Sequence, residues 1–162
     1  MRVCLIIPPS PFLLDERVFV QLGILKIASV LEQHDYTVDM IDLSGVENYT
    51  DVLTDYAKRK DRADIFGVTA TTPQVPYAVK ISQHLKALLP GKQSKVILGG
   101  PHVTLMHTAA KREAKKNLVG SDRATKDIEA LKNFFDVLVC GDGEIAIFDA
   151  IHEDVKVIDA DI

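Results

Sequence analysis

Apolar residues in this chain form short continuous runs that alternate with longer stretches in which they recur at helical intervals. A short continuous apolar run is typical of a strand that is buried on both faces of a parallel sheet. Helical spacing, as in Ile24, Ile27, Ala28 and Leu31, indicates amphipathic helices that cover such a sheet. The strand-like runs are residues 2–7, 37–43, 64–69, 96–98 and 136–140.

This alternation predicts an α/β fold, a doubly wound, Rossmann-like or flavodoxin-like sheet of five parallel strands in the order 2-1-3-4-5. Residues 155–158 are a candidate for a short extra strand. We expect one domain over residues 1–162, with a core of residues 1–154 and a Lys-rich insertion at residues 105–133 before the last main strand.

Helix boundaries follow from capping residues and helix-breaking residues. Thr72 is expected to cap a helix that has Pro73 at its first position, where the missing N–H has no cost. Further helices are expected over residues 48–59 and 144–152.

Composition narrows the class of protein. The 162 residues are 47% hydrophobic and 26% charged, and the net charge of −4 argues against a general binder of nucleic acid or anionic membranes. The start of the chain is too short for a signal-peptide core, and no apolar stretch could span a bilayer. We therefore expect a cytoplasmic protein in which Cys4 and Cys140 are reduced thiols of the core.

Small, hydroxylated or glycine-rich loops follow the predicted strands. They include residues 8–10, 69–72, 99–104 and 141–144, and they contain no Lys or Arg. In an open parallel sheet the ligand lies outside the carboxyl ends of the strands. These loops therefore favour a large, mostly neutral ligand that is held by backbone amides and hydroxyl groups.

Two other uses of this fold do not match the strand ends. A phospho-receiver domain needs an Asp after the third strand and a Lys after the fifth, where this chain has Thr69 and Gly141. A flavodoxin needs a phosphate loop after the first strand, and Pro8-Pro9-Ser10-Pro11 is a poor one.

A dinucleotide site stays open as an alternative. Gly141-x-Gly143-x-x-Ala146 follows a strand and begins a helix, and Asp159 lies further on in a strand-like run. Glu144 argues against it, because its carboxylate would repel a pyrophosphate at the helix N-terminus.

Six segments together carry a family resemblance. They are Arg2-Val3-Cys4-Leu5-Ile6-Ile7-Pro8-Pro9, Gln21-Leu22-Gly23-Ile24-Leu25 with Ala28 and Leu31-Glu32, Thr37-Val38-Asp39-Met40-Ile41-Asp42-Leu43, Asp64-Ile65-Phe66-Gly67-Val68-Thr69-Ala70-Thr71-Thr72, Ile97-Leu98-Gly99-Gly100-Pro101-His102-Val103-Thr104 and Val139-Cys140-Gly141-Asp142-Gly143-Glu144. In this order they resemble the N-terminal cobalamin-binding domain of the cobalamin-dependent radical S-adenosylmethionine (SAM) enzymes.

The resemblance implies that a corrin lies across the carboxyl ends of the strands, with its nucleotide tail between the sheet and the helices. It also implies which residues line the cofactor. These are Pro8, Pro9, Ser10, Gly23, Thr69, Ala70, Thr71, Thr72, Gly99, Gly100, Pro101, His102, Val103, Thr104, Gly141, Asp142, Gly143 and Glu144.

The loop after the first strand departs from the methionine-synthase type of cobalamin domain. That type supplies a lower axial histidine from an Asp-x-His-x-x-Gly motif, and residues 14–20 here contain no histidine. The resemblance is therefore to the branch that binds cobalamin base-off without such a ligand. We expect His102 to order its own loop or to bond the tail, not to ligate cobalt.

The chain contains two cysteines and no Cys-x-x-x-Cys-x-x-Cys run, so it cannot hold the cluster of a radical SAM enzyme by itself. Three functions stay open: a cobalamin module that works with a separate or missing radical SAM domain, a dinucleotide-binding enzyme domain, and an interaction module that has lost its ligand.

The Lys-rich insertion is either a solvated face or a docking face for the catalytic partner. A bulky residue at Gly100 is expected to abolish corrinoid binding and leave the fold intact.

Overall fold

Six parallel strands form one sheet in the computed structural model, which describes residues 1–16, 21–116 and 122–160. The strands are β1 (Arg2–Ile7), β2 (Thr37–Asp42), β3 (Ile65–Thr69), β4 (Lys95–Gly99), β5 (Val137–Cys140) and β6 (Val157–Asp159). Their order is β2-β1-β3-β4-β5-β6, and every neighbouring pair is parallel. All carboxyl ends therefore lie along one side of the sheet, which we call the carboxyl edge.

Helices cover both faces of this sheet. They are α1 (Leu22–Gln33), α2 (Tyr49–Ala57), α3 (Val75–Leu88), α4 (Pro101–Lys116), α5 (Arg123–Leu131) and α6 (Gly143–His152). Successive side chains of a strand point to opposite faces. Leu5 and Val139 are therefore buried with α1 and α6, whereas Cys4 and Leu138 are buried with α2, α3, α4 and α5.

The predicted number of strands is wrong, although the predicted order of the first five is confirmed. The sixth strand, β6, lies within and just beyond the candidate run at residues 155–158 and pairs with β5. The Leu138 N–H donates to the Lys156 carbonyl (2.8 Å), and the Ala160 N–H donates to the Cys140 carbonyl (2.9 Å). These bonds satisfy backbone groups that would otherwise be unpaired at the edge of the sheet.

Two helix starts also differ from the sequence-based expectation. Thr71, not Thr72, caps the short 3-10 turn Thr72–Gln74 that leads into α3. Helix α4 begins directly at Pro101, because Gly100 (φ +100°) turns the chain and proline is well suited to a first helical position. Residues 102–104 therefore belong to a helical turn and not to a loop.

The Lys-rich insertion contains most of α4 and all of α5, while residues 117–121 lie outside the described part of the chain. Helices α2 and α6 agree with their predicted ranges within two residues.

Cys4 and Cys140 are both buried, as expected for core thiols. Burial raises the pKa of the Cys4 thiol to about 12, so this group stays protonated at neutral pH. Within the three described ranges, no helix is long and apolar enough to cross a membrane.

Candidate functional site

A cavity of about 440 Å³ lies at the carboxyl edge, between the sheet and helices α1 and α6. Cavities of roughly 300–1,000 Å³ are typical of small-molecule sites. Its floor is formed by one residue from each of four neighbouring strands: Leu5, Gly67, Ile97 and Val139. The floor is therefore apolar, and it lacks a side chain at Gly67.

The two helices form the walls of this cavity, which we call the groove. The N-terminal part of α1 contributes Gln21, Leu22, Gly23, Ile24, Lys26 and Ile27, and the start of α6 contributes Gly143, Glu144 and Ile147. A Cβ atom on Gly23 would meet nothing within 4 Å, so this side of α1 faces open space. A Cβ atom on Gly143 would lie 2.9 Å from Cδ1 of Ile27, so the two helices touch at that point.

Half of the residues that the sequence predicts for the site line the groove. They are Gly23, Thr69, Gly99, Gly100, Pro101, Gly141, Asp142, Gly143 and Glu144. The structure therefore brings the ends of β3, β4 and β5 together with the start of α1, as the strand-end argument requires.

The other half are not among the residues that line the groove. They are Pro8, Pro9, Ser10, Ala70, Thr71, Thr72, His102, Val103 and Thr104. Several of them take part in hydrogen bonds that hold the strand-end loops to one another. Three side chains make these bonds: His102 and Thr104, which were predicted for the site, and Gln74, which was not.

Gln74 joins the loop after β1 to the loop after β3. Its side chain is 2% exposed, and its amide nitrogen donates to the Pro8 carbonyl (3.1 Å) and to Oγ of Ser10 (2.8 Å). Its amide oxygen accepts from the backbone N–H and from the hydroxyl of Thr71, both at 3.1 Å. Two donors and two acceptor sites are the full capacity of an amide, so this buried group is fully satisfied.

His102 joins the loop after β3 to helix α5. Its Nε2 lies 2.8 Å from Oδ2 of Asp127, and its Nδ1 lies 2.9 Å from the hydroxyl of Thr72. A carboxylate can only accept, so Nε2 donates, and in the neutral ring Nδ1 then accepts from Thr72. The ring is 7% exposed and both of its nitrogens are engaged, so the imidazole acts as a bridge between these elements.

Thr104 joins the loops after β4 and β5. Its hydroxyl donates to the Gly100 carbonyl (3.0 Å) and accepts from the Gly141 N–H (3.1 Å). The two glycine-rich turns are therefore linked by one side chain.

Gly100 has no room for a side chain. Its φ is +100°, and a Cβ atom would lie 2.6 Å from Oγ1 of Thr69 and 2.8 Å from the backbone nitrogen of Ala70. The expectation that a bulky residue here would leave the fold intact is therefore wrong, because the backbone itself would have to move.

Charged groups are concentrated at one part of the groove. Nζ of Lys26 on α1 lies 3.4 Å from Oε1 of Glu144 on α6, and Asp142 adds a second carboxylate. The Asp142 side chain caps α6 by accepting from the Glu144 N–H at 3.0 Å. Lys26 belongs to α1 and not to the strand-end loops, which contain no Lys or Arg.

The dinucleotide alternative fits this geometry poorly. The N-terminus of α6, where a pyrophosphate would bind, carries the carboxylates of Asp142 and Glu144. Asp159, which would bind a ribose, instead accepts from Lys111 (2.6 Å) and lies 3.0 Å from Nε2 of His107.

Sequence reasoning missed the floor and most of the α1 wall. Gly67 carried a usable signal, because an isolated glycine inside an apolar strand indicates close approach of a ligand or another backbone. The floor residues Leu5, Ile97 and Val139 carried none, since any buried strand contains such residues. Lys26 looked like an ordinary charged residue on the exposed face of a helix.

Comparisons with known proteins bear on the ligand of this site. The sequence profile described as the B12 binding domain matches residues 16–126. A solved structure of a cobalamin-binding protein from Desulfitobacterium hafniense DCB-2 is similar at 18% identity and a TM-score of 0.48. The alignment covers 82% of this chain and 58% of that protein, so this chain spans little more than half its length. No curated protein matches this chain.

Proposed function

The chain belongs to the B12-binding domain family, whose cofactor is cobalamin; from this premise we propose that it holds a corrinoid base-off, with the ring across the carboxyl edge and the nucleotide tail in the groove. The observation that carries the proposal is the groove itself, which opens at the carboxyl edge and has an apolar floor. The eighteen residues predicted from the sequence divide accordingly: those that line the groove contact the cofactor, and the others hold or border the loops on which the ring rests.

The groove fits the tail better than it fits the whole cofactor. A flat benzimidazole needs an apolar slot, and the floor offers Leu5, Ile97 and Val139 around a glycine at the centre of the sheet. A Cβ atom on Gly67 would lie 2.8 Å from Cδ2 of Leu5, so any larger residue would intrude on this floor. The bulkier corrin ring would lie outside, where its amide groups can meet backbone carbonyls and hydroxyls.

The proposed base-off mode needs no histidine from the protein. Among the described residues that line the groove there is no histidine, and residues 8–21 of the sequence contain none. His102, the nearest candidate by sequence, has both ring nitrogens engaged with Thr72 and Asp127. The displaced base would therefore be held by the groove and not be replaced by an imidazole.

The wider role that we propose is service to methyl transfer or radical chemistry. Bound cobalamin supplies a cobalt centre for such reactions, while the protein supplies binding, orientation and exclusion of water. A radical SAM domain would come from a separate chain or from sequence outside these residues, because two cysteines cannot supply three cluster thiolates. We place this role in the cytoplasm, with the Lys-rich segment as a candidate docking face.

The first test is retention of the cofactor. The purified chain is incubated with hydroxocobalamin and separately with methylcobalamin, desalted, and examined by visible spectroscopy, with NADH and FMN as competing ligands. Retained corrinoid with a base-off spectrum is the expected result. Retention of NADH or FMN instead would favour the dinucleotide alternative, and retention of nothing would favour a module that has lost its ligand.

A variant of the groove makes this test specific. Gly23→Leu places a side chain in open space on the groove side of α1, so we expect corrinoid affinity to fall by about tenfold or more. Leucine is also a better helix former than glycine, so stability to urea should be equal or higher. Ser29→Leu adds the same side chain at an exposed position of the same helix and should leave affinity unchanged. Equal affinity in Gly23→Leu and wild type would remove the groove from the site.

A further inference from the structure

Lys26 is the single cationic side chain among the described residues that line the groove. It is 67% exposed and pairs with Glu144, whose side chain is 38% exposed, so the pair lies where the groove meets solvent. An ion pair as exposed as this one contributes little to stability, which leaves its presence at the groove unexplained by folding alone.

The chemistry of the tail determines where its charge must lie. The tail consists of a benzimidazole base at the far end, then a ribose, then one phosphodiester, and then the linker to the corrin ring. If the base lies on the apolar floor and the ring outside, the phosphodiester lies between them, at the level of the solvent-exposed part of the groove. This is the level at which the structure places Lys26.

We propose that Lys26 exchanges its partner, from the Glu144 carboxylate to the tail phosphodiester, and so selects corrinoids that carry a complete tail. The inference rests on the proposed function, because it requires the tail to enter the groove. Glu144 has the opposite effect: it competes for the ammonium group and repels the phosphodiester. The pair therefore sets the preference of this site between complete and tailless corrinoids.

The test compares two corrinoids against five proteins, the wild-type chain and four variants. Affinities for hydroxocobalamin and for diaquocobinamide, which lacks the base, the ribose and the phosphodiester, are measured by equilibrium dialysis with visible absorbance. The variants are Lys26→Gln, Lys26→Arg, Glu144→Gln and Lys58→Gln. Lys58 is exposed and lies on the opposite face of the sheet, so its variant is the matched control.

Opposite changes are expected in the two groove variants. Lys26→Gln should weaken cobalamin binding about threefold to tenfold, and Glu144→Gln should strengthen it by about twofold to fivefold, since charge-assisted bonds are partly screened at exposed sites. Neither Lys26→Gln nor Glu144→Gln should change the affinity for cobinamide. The effect of Lys26→Gln should shrink in about 1 M salt, and Lys26→Arg should restore most of the affinity.

The results that would overturn the inference differ from those that would overturn the proposed function. Unchanged cobalamin affinity in Lys26→Gln, or an equal loss for both corrinoids, would exclude a contact with the phosphodiester while leaving the corrinoid site in place. Absence of any corrinoid binding by the wild-type chain would overturn the proposed function and this inference with it. Unfolding in urea, followed by circular dichroism, checks that all five proteins are equally stable.

Discussion

The carboxyl edge is built in two different ways on its two sides. On the side of α1 and α6 lies the groove, with an apolar floor and a glycine facing open space. On the side of α3, α4 and α5, which we call the bonded side, buried polar groups of Gln74 and His102 join loop to loop. On the groove side, glycines such as Gly23 leave space for a ligand. On the bonded side, buried polar side chains use their hydrogen-bonding groups to join the loops.

This difference means that equivalent changes have unequal consequences on the two sides. Added bulk at Gly23, on the open part of the groove, fills space and breaks no bond, so it should affect the ligand more than the fold. On the bonded side, a substitution leaves buried donors or acceptors without partners, so it should affect the fold first. Within the groove itself, glycines differ in the same way: a Cβ atom added to Gly23 on the α1 wall would have nothing within 4 Å, whereas one added to Gly100, which packs on the backbone of Ala70, would have backbone within 3 Å.

The largest effect is expected from Gly100→Leu, which should destabilise the whole chain. The left-handed backbone at φ +100° is strained for leucine, and the new Cβ atom would clash with Ala70 and with Oγ1 of Thr69. Together these effects should lower the free energy of unfolding by about 3 kcal/mol or more, measured by urea denaturation.

Gly99→Ala is the matched control for this variant. Gly99 has no positive φ, and its nearest atom to a Cβ position is the Val139 carbonyl oxygen at 3.9 Å. The alanine should therefore change stability by less than about 1 kcal/mol. Equal stability of the Gly100 and Gly99 variants would show that the turn after β4 accepts a side chain at Gly100, and the expected clash with Ala70 and Thr69 would be refuted.

Gln74→Leu should have the next largest effect. Leucine fills a similar volume but leaves the Pro8 carbonyl and the Thr71 N–H without the bonds that Gln74 supplies. We expect a loss of about 2–4 kcal/mol in the free energy of unfolding, and faster amide exchange in the loop after β1. Gln83→Leu, at an exposed position of α3, is the control and should be nearly neutral.

The sheet was largely predictable because buried parallel strands leave a strong pattern. Continuous apolar runs located the first five strands, and short connections with a helix between parallel strands predict a doubly wound sheet. The order 2-1-3-4-5 is one of the two common orders of such a sheet. The three residues of β6 carry too little pattern to establish a strand without knowledge of the free edge of β5. The start of α4 was missed because Gly99-Gly100-Pro101 resembles a loop when the φ angle of Gly100 is unknown.

The candidate site was predictable only where the turns at the strand ends form it. Glycines and hydroxyl residues at strand ends are visible in sequence, and half of the predicted residues do line the groove. The rest include bridging residues such as His102, because a hydroxyl or imidazole suited to a ligand is equally suited to another loop. Lys26 was missed for the opposite reason: only the packing of α1 against α6 places it beside Glu144.

Among the variants that remove a contact or add a clash, His102→Ala is expected to have the smallest effect on folding. It tests whether His102 supports the loops or ligates cobalt. The partners it would release, Thr72 and Asp127, are both partly accessible to water and can be rehydrated. The loss of stability should therefore be only about 1–2 kcal/mol. Loosening of the loops should weaken cobalamin binding by about twofold to fivefold while the visible spectrum of the bound cofactor stays base-off and unchanged.

His84→Ala is the control for this variant. It removes a histidine that bonds Thr54 between α2 and α3, and it should change neither the cobalamin affinity nor the visible spectrum of the bound cofactor. A shifted cobalt spectrum in His102→Ala alone would mean that the imidazole leaves Thr72 and Asp127 to ligate the metal, and the bonded side would then be part of the cofactor's coordination and not its support.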